Sequence, residues 1–205
     1  GNKVSSDGLP IKSAITVVDN RTGAVVAIAG DMGQKTANRI FNYATAPFQP
    51  GSSFKPLAVY APAIDRYGYM TCSVLKDEPT NFNGYKPRNS SYTYYGNVSI
   101  RTALKNSLNV STVALLNQIG VNSGRDYMAI PLDDRDANLA LGLGAMTYGV
   151  SPVQLAAAYA PFGNGGTYNA PHLIRRITDA SGRVLYQNRD SGSRVLKATS
   201  AYLMT

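Results

Sequence analysis

A serine hydroxyl is a poor nucleophile at neutral pH and needs a base within hydrogen-bond reach. The run Gln49-Pro-Gly-Ser-Ser-Phe-Lys-Pro56 offers both partners, Ser52 and Lys55. On a helix, residues three apart share a face, one turn along. Pro56 is tolerated only in a first turn, where N–H groups lack partners, so it places the start of a helix near Ser52. Gly51 allows the sharp bend into it. A serine at a helix N-terminus sits where free N–H groups favour negative charge, which suits the oxygen anion of acyl transfer. The same spacing recurs by chance about once in a chain of this length, and Ser73-Val-Leu-Lys76 fits it too. Ser73 lacks the glycine-then-helix context, so Ser52 is the better nucleophile.

A second polar pair, Ser107-Leu-Asn109, is the one Ser-x-Asn in the chain. Ser99 reads as the N-cap of a helix through Ile100–Lys105. A following helix, Val110–Ile119, is closed by Gly120. Ser107 and Asn109 then lie in a tight connection where short polar side chains can face a cleft. Capping of the two helix ends would explain the same residues. Their order after Ser52 and Lys55, about fifty residues on, favours a common site.

Taken together, these motifs resemble the penicillin-binding proteins, the serine acyltransferases that crosslink bacterial peptidoglycan. That group and the related β-lactamases carry Ser-x-x-Lys, Ser-x-Asn and then Lys-Thr-Gly. Val18-Asp-Asn-Arg-Thr-Gly-Ala-Val-Val-Ala-Ile-Ala29 is similar to the family's opening hairpin, and Phe41-Asn-Tyr-Ala-Thr45 to its lead-in to the serine. Tyr85-Lys-Pro-Arg-Asn89 and Gly96-Asn-Val-Ser-Ile-Arg-Thr-Ala103 are similar to the approach to the second motif. Leu141-Gly-Leu-Gly144, Gly149-Val-Ser-Pro-Val-Gln-Leu-Ala156 and Gly163-Asn-Gly-Gly-Thr-Tyr168 resemble later landmarks. The details most resemble class A members, in which this domain follows a membrane anchor and a glycosyltransferase domain.

No Lys-Thr-Gly or Lys-Ser-Gly occurs. Arg21-Thr-Gly23 is the nearest match, but it precedes the nucleophile and reads as a hairpin turn. The expectation is a piece of a longer protein, with the third motif cut away or carried on a separate chain, and itself inactive or impaired. The resemblance implies that Ser52 attacks the penultimate D-alanine carbonyl of a stem peptide, with Lys55 taking its proton. Ser107 would pass a proton to the leaving amine, Asn109 would hold the substrate amide, and the Ser52 N–H would supply half of an oxyanion hole. A lysine acts as a base only when neutral, which requires burial or a neighbouring cation. Stem peptide, acceptor amine and β-lactams are the implied partners, with no cofactor and no metal. The implied location is the outer face of the bacterial cell membrane, through an anchor outside these residues. A non-catalytic penicillin-binding sensor or a β-lactamase on the same scaffold is the alternative.

Composition is compatible with this. A chain of 205 residues with 44% hydrophobic content can bury one sizeable core. A formal charge of +8 raises nucleic acid as a partner, but the basic residues are scattered singly, without a recognition motif. An anionic cell envelope explains the charge equally well. His172, the sole histidine, lies in an alternating apolar stretch and reads as structural. Cys72, the sole cysteine, is expected to be a small buried hydrophobe. Tyr92, Tyr94 and Tyr95 are expected to pack beneath their loop, with a ligand-facing tyrosine there as the alternative.

The expected fold is mixed α/β: helices packed on an antiparallel sheet that is incomplete here, of the penicillin-binding and serine β-lactamase type. Residues 1–12 form a lead-in and residues 13–205 one domain. Hairpins are predicted over Ala14–Val18 with Ala24–Ala29, and over Ile174–Thr178 with Arg183–Gln187. A helix over Ser52–Asp65 should be kinked or shortened by Pro62. A further helix over Pro152–Phe162 is capped by Ser151, and a last one starts near Ala198. Residues 68–97 are expected to be mostly irregular.

Overall fold

The computed structural model describes residues 4–8, 11–32, 35, 37–127, 130–189 and 191–205. Part of the expected lead-in, residues 1–3, 9 and 10, lies outside them.

The chain opens with the hairpin β1 (Ile15–Val18) and β2 (Val25–Ala29), paired antiparallel with Ile15 opposite Ala29. Its turn forms because Asp19 Oδ1 accepts the N–H groups of Arg21 and Thr22, at 2.8 and 3.0 Å. Gly23 completes it at φ +75°, a conformation that glycine adopts freely. Arg21-Thr-Gly23 is therefore turn, as the sequence implies.

The first helical stretch winds in three ways. Gly51–Phe54 is a 3₁₀ turn, Pro56–Tyr60 a π turn, and Ala61–Arg66 the α-helix α1. Pro62 does not end the stretch. Lacking an N–H, it has nothing to donate to the Ala58 carbonyl four residues back, and the winding before it is loosened accordingly. Gly124 packs over that carbonyl; a Cβ there would come within 2.3 Å of it.

Next come β3 (Val74–Asp77) and β4 (Gly96–Ser99), antiparallel with Val74 opposite Ser99. β3 and the first half of β4 fall inside the stretch expected to be mostly irregular. The chain passes from β4 directly into α2 (Ile100–Lys105), whose N-cap Ser99 accepts the Thr102 N–H at 3.1 Å. After a short connection, α3 (Asn109–Ile119) begins and ends at Gly120, φ +87°. Cys72 is exposed in the turn before β3, against the expectation of burial. Tyr92 and Tyr95 also point outward instead of packing under their loop.

The core gathers around α3, where Val110, Val113, Leu115, Leu116 and Ile119 are buried with Leu57, Tyr60 and Leu141. The Tyr60 hydroxyl pairs with Thr112 at 2.7 Å, satisfying both polar atoms inside this apolar layer. The short α4 (Val121–Arg125) follows, then 3₁₀ turns at Asp134–Asp136 and Leu139–Leu143. The longest helix, α5 (Pro152–Gly163), starts with a capping box between Ser151 and Gln154 and packs on β1.

Two short ladders remain: β5 (Thr167–Tyr168) with β8 (Ser193–Arg194), and the hairpin β6 (Arg176–Thr178) with β7 (Val184–Gln187). The last helix, α6 (Ala198–Met204), docks on α5 and α1. Its entry is fixed by Asp65, whose Oδ1 accepts the Lys197 N–H at 3.0 Å while its carbonyl accepts from Lys197 Nζ at 2.7 Å. All ladders among the described residues are two-stranded and antiparallel. The expected mixture of helices and antiparallel sheet is present.

Candidate active site

Ser52 lies in the 3₁₀ turn, where side chains three apart nearly eclipse. Ser52 and Lys55 therefore lie on one side of the turn, and the Lys55 N–H closes it on the Ser52 carbonyl. Ser52 is exposed. The neighbouring Ser53 hydroxyl is engaged instead by the Pro50 carbonyl, at 2.7 Å.

Lys55 is 1% exposed, an unusual position for an ammonium. Its Nζ donates to the Ser107 carbonyl at 2.6 Å, to Ser107 Oγ at 2.9 Å and to Asn109 Oδ1 at 2.6 Å. Burial pushes its pKa down to about 8, so about one molecule in ten carries the neutral amine at pH 7. A neutral amine has two N–H donors and one lone pair. The Ser107 carbonyl and Asn109 Oδ1 can only accept, so they claim the two donors. The lone pair is left for a hydroxyl.

The connection between α2 and α3 makes this possible. Ser107 adopts φ +51°, a left-handed conformation that costs a non-glycine residue about 1–3 kcal/mol. The turn is held by the Ser107 N–H on the Leu104 carbonyl and the Leu108 N–H on the Ala103 carbonyl, at 3.0 and 2.9 Å. The same residue thus presents both its carbonyl and its hydroxyl to Lys55.

Asn109 is oriented by a further set of bonds that sequence reasoning did not identify. Its Nδ2 donates to the Arg88 carbonyl at 2.7 Å, which fixes the amide so that Oδ1 faces Lys55. Its N–H and that of Val110 are taken by Asn89 Oδ1, at 2.7 and 3.2 Å. Leu108, at the N-cap of α3, has no side-chain acceptor, so the buried Asn89 does the capping from a distant loop. Asn89 in turn donates to Asp77 Oδ2 and to the Thr93 carbonyl, at 2.8 and 2.9 Å. Asp77 is fully buried at the end of β3, and its Oδ1 lacks a hydrogen-bond partner.

The approach to Ser52 is clamped from the other side. Gln49 Nε2 donates to the Met146 carbonyl and Gln49 Oε1 accepts the Met146 N–H, both at 2.7 Å. Phe48 and Val150 exchange backbone hydrogen bonds, and Tyr159 donates to the Ser53 carbonyl. Gly144 meets Gly51 so closely that a Cβ would lie 2.0 Å from its carbonyl oxygen. The glycine-rich Leu141–Gly144 segment and the run from Gly149 thus act as a mould for the turn that carries Ser52.

The other candidates fall away. Ser73 Oγ accepts the Met70 N–H, and Lys76 lies on β3 beside Glu78 at 3.8 Å. A strand does not present residues three apart on one face. The His172 ring faces the Ala170 carbonyl, and its backbone pairs with Gly23 and Val25, so its role is structural as expected.

Comparison with known proteins shows what the chain as a whole is similar to. A family model described as the penicillin binding protein transpeptidase domain matches residues 13–130 and 133–205. Penicillin-binding protein 1F of Bacillus subtilis (strain 168) is 40% identical over 189 residues, covering 92% of this chain and 26% of its own length. Penicillin-binding protein 1A of Streptococcus pneumoniae is 34% identical over 209 residues, covering 95% of this chain and 29% of its own. Among solved structures, PonA1 of Mycobacterium tuberculosis in complex with penicillin V superposes with a TM-score of 0.78 at 26% identity, covering 93% of this chain and 53% of that one. Penicillin-binding protein 1A from Haemophilus influenzae gives 0.79 at 26% identity, over 98% of this chain and 36% of its own. The chain spans about a quarter of the length of the curated relatives it matches.

Proposed function

Because the chain belongs to the penicillin-binding protein transpeptidase domain family, we propose that it forms peptidoglycan crosslinks through an acyl-enzyme at Ser52. One observation carries the assignment of roles. Lys55, buried and of lowered pKa, is bonded at once to both members of Ser107–Asn109. No fold of these residues for capping alone requires that convergence.

In this reading the neutral Lys55 amine takes the Ser52 proton as Oγ bonds to the carbonyl carbon of the penultimate D-alanine. The bond to the terminal D-alanine breaks, and the departing nitrogen receives a proton relayed by Ser107. An acceptor amine of a neighbouring stem then bonds to the acyl carbon, the ester to Ser52 breaks, and the serine regains its proton. Asn109 holds the substrate amide. The Ser52 N–H, in the first turn of its helical stretch, donates to the developing oxyanion; one such donor is worth about 10²–10³ in rate. A β-lactam enters the same path as an analogue of D-Ala-D-Ala and remains as an ester.

We take residues 13–205 as belonging to one such domain, with residues before 13 as its lead-in. The protein works outside the cytoplasmic membrane, held there by a part of the molecule other than these residues and joined in the full-length protein to a glycosyltransferase domain. Among the described residues no helix is long and apolar enough to cross a membrane.

Labelled penicillin added to the full-length protein is expected to mark Ser52, and Ser52→Ala to abolish the label. A label on Ser73, or an undiminished one on Ser52→Ala, overturns the assignment. Crosslinking of stem peptide to an acceptor amine is expected to vanish in the same variant. Rapid hydrolysis of the penicillin ester instead would identify a β-lactamase.

A further inference from the structure

Arg88 has two engagements. Its carbonyl holds Asn109 beside Lys55, and the residue also lines a cavity of about 440 Å³ with Pro79, Lys86, Pro87, Tyr92 and Tyr94. That volume is within the range of small-molecule sites. Lys86 and Arg88 are both exposed, and neither forms an ion pair with a carboxylate among the described residues. Two cations sharing a concave surface repel each other and attract an anion. The planar fork of Arg88 matches a carboxylate in particular.

Tyr92 sharpens the case. It is 76% exposed and adopts φ +56°, a region that is an outlier for a bulky side chain. An aromatic ring held in solvent at a strained backbone position gains nothing for the core. The strain is maintained by the Tyr92 N–H on the Asn89 carbonyl at 3.0 Å and by Asn89 Nδ2 on the Thr93 carbonyl at 2.9 Å. With Tyr94, half-buried beside it, the ring offers a rigid amphipathic face at low entropic cost. Such faces suit sugar rings and peptide planes.

We propose that this cavity binds a carboxylate-bearing segment of the glycan–peptide polymer, with the acid on Lys86 and Arg88 and the neighbouring sugar or peptide against Tyr92 and Tyr94. The inference rests on the function proposed above, since that function supplies the polymer. The ligand would sit against the same backbone segment that orients Asn109. The cavity is therefore a subsite for strand holding, apart from the bond-making groups.

The probe is a soluble disaccharide–pentapeptide with free carboxylates, compared with its fully amidated form. Binding is measured on the full-length protein after saturation with penicillin, so that Ser52 is occupied. Lys86→Glu and Tyr92→Gly are each expected to weaken the free-acid probe about tenfold, the loss of one charge-assisted or well-packed contact. Amidation should weaken binding to the native protein similarly and cost little more in Lys86→Glu. Tyr92→Gly removes the ring and the strain together, so a folding defect is not its expected effect. Normal penicillin labelling of both variants checks this. Unchanged affinity in both variants, or an amidation loss that persists in full in Lys86→Glu, overturns the site. A protein that loses probe affinity in the variants yet never labels at Ser52 would keep the subsite and reject the catalytic reading.

Discussion

Lys55 is a charged group placed where a charge is costly, and this should be visible in stability as well as in rate. Its folded pKa is lowered from an ordinary 10.5 to about 8. Between those two values the unfolded chain holds a proton that the native state has released, so native stability rises as pH rises through that window. Below pH 8 both states are protonated and the cost of the buried ammonium is fully present. It amounts to at most about 3 kcal/mol, less whatever solvent reaches the group. Lys55→Met should remove the pH dependence between 8 and 10.5 in denaturant titrations, while abolishing acylation. In the native protein the acylation rate should climb with pH toward a plateau with its midpoint near 8. A flat profile over pH 6–9 would contradict a neutral-amine base. The grouping of Lys55 with Ser107 and Asn109, one turn from Ser52, was legible in the sequence because each motif is short and framed by strong local signals; the catalytic roles of the four are the proposal made above. These signals are Gly51 before the first turn, Ser99 opening α2 and Gly120 closing α3. The left-handed backbone of Ser107 was not legible, since nothing local demands it; it follows from the tightness of the turn into α3.

Asn89 shows what local pattern cannot reveal. It lies twenty residues before the helix it caps, and no periodicity links the two. Its burial beside Asp77 makes it a positioning residue, because α3 carries Asn109 at its first turn. Asn89→Ala should cost about 2 kcal/mol through the lost cap and the loss of one of two donors to the buried Asp77 carboxylate, which keeps the Tyr95 N–H at 3.0 Å. It should also slow penicillin acylation by letting Asn109 drift from Lys55. Asn89→Asp should be worse, because two carboxylates would then meet in a buried space. Adding Asp77→Asn to Asn89→Asp restores one donor facing one acceptor and should recover much of the loss. Failure of that exchange, measured by thermal melting and acylation together, would mean that the pair does not act as argued. The strands β3 and β4 were hidden for a related reason. Val74-Leu-Lys-Asp77 does alternate, with Leu75 and Asp77 inward. It is too short, and too close to glycine and proline, to stand out from the loop around it.

The molecule as a whole has a well-filled interior around α3 and a sparsely covered flank. Ile15, Val17, Val26 and Ile28 of the first hairpin are exposed, and the hairpin is a ladder of two strands whose edges, among the described residues, are in no further ladder beyond the bridge of Ala24 to His172. Unpaired, apolar strand edges recruit other chains. We expect these 205 residues in isolation to self-associate as concentration rises, and Val17→Lys with Val26→Lys to suppress this without altering the Lys55 contacts. Sedimentation of the unmodified chain as a monomer at all concentrations would refute that. Overall architecture was legible because the helices are long enough to carry caps and terminators. Cys72 was misjudged on residue type alone; a turn position outweighed its apolar character.

The changing winding between Gly51 and Arg66 bears on how this site can tolerate change. A uniform helix could absorb a lost or gained residue by rotating, at the cost of one loosened turn. Here the narrow coil under Ser52 and the wide one after Lys55 are each pinned from outside, by Gly144 on one and by Gly124 on the other. Side chains along the stretch can therefore be exchanged one at a time, whereas a single insertion or deletion has nowhere to be taken up. Length, more than chemistry, should be the property that variants of this segment are least free to alter.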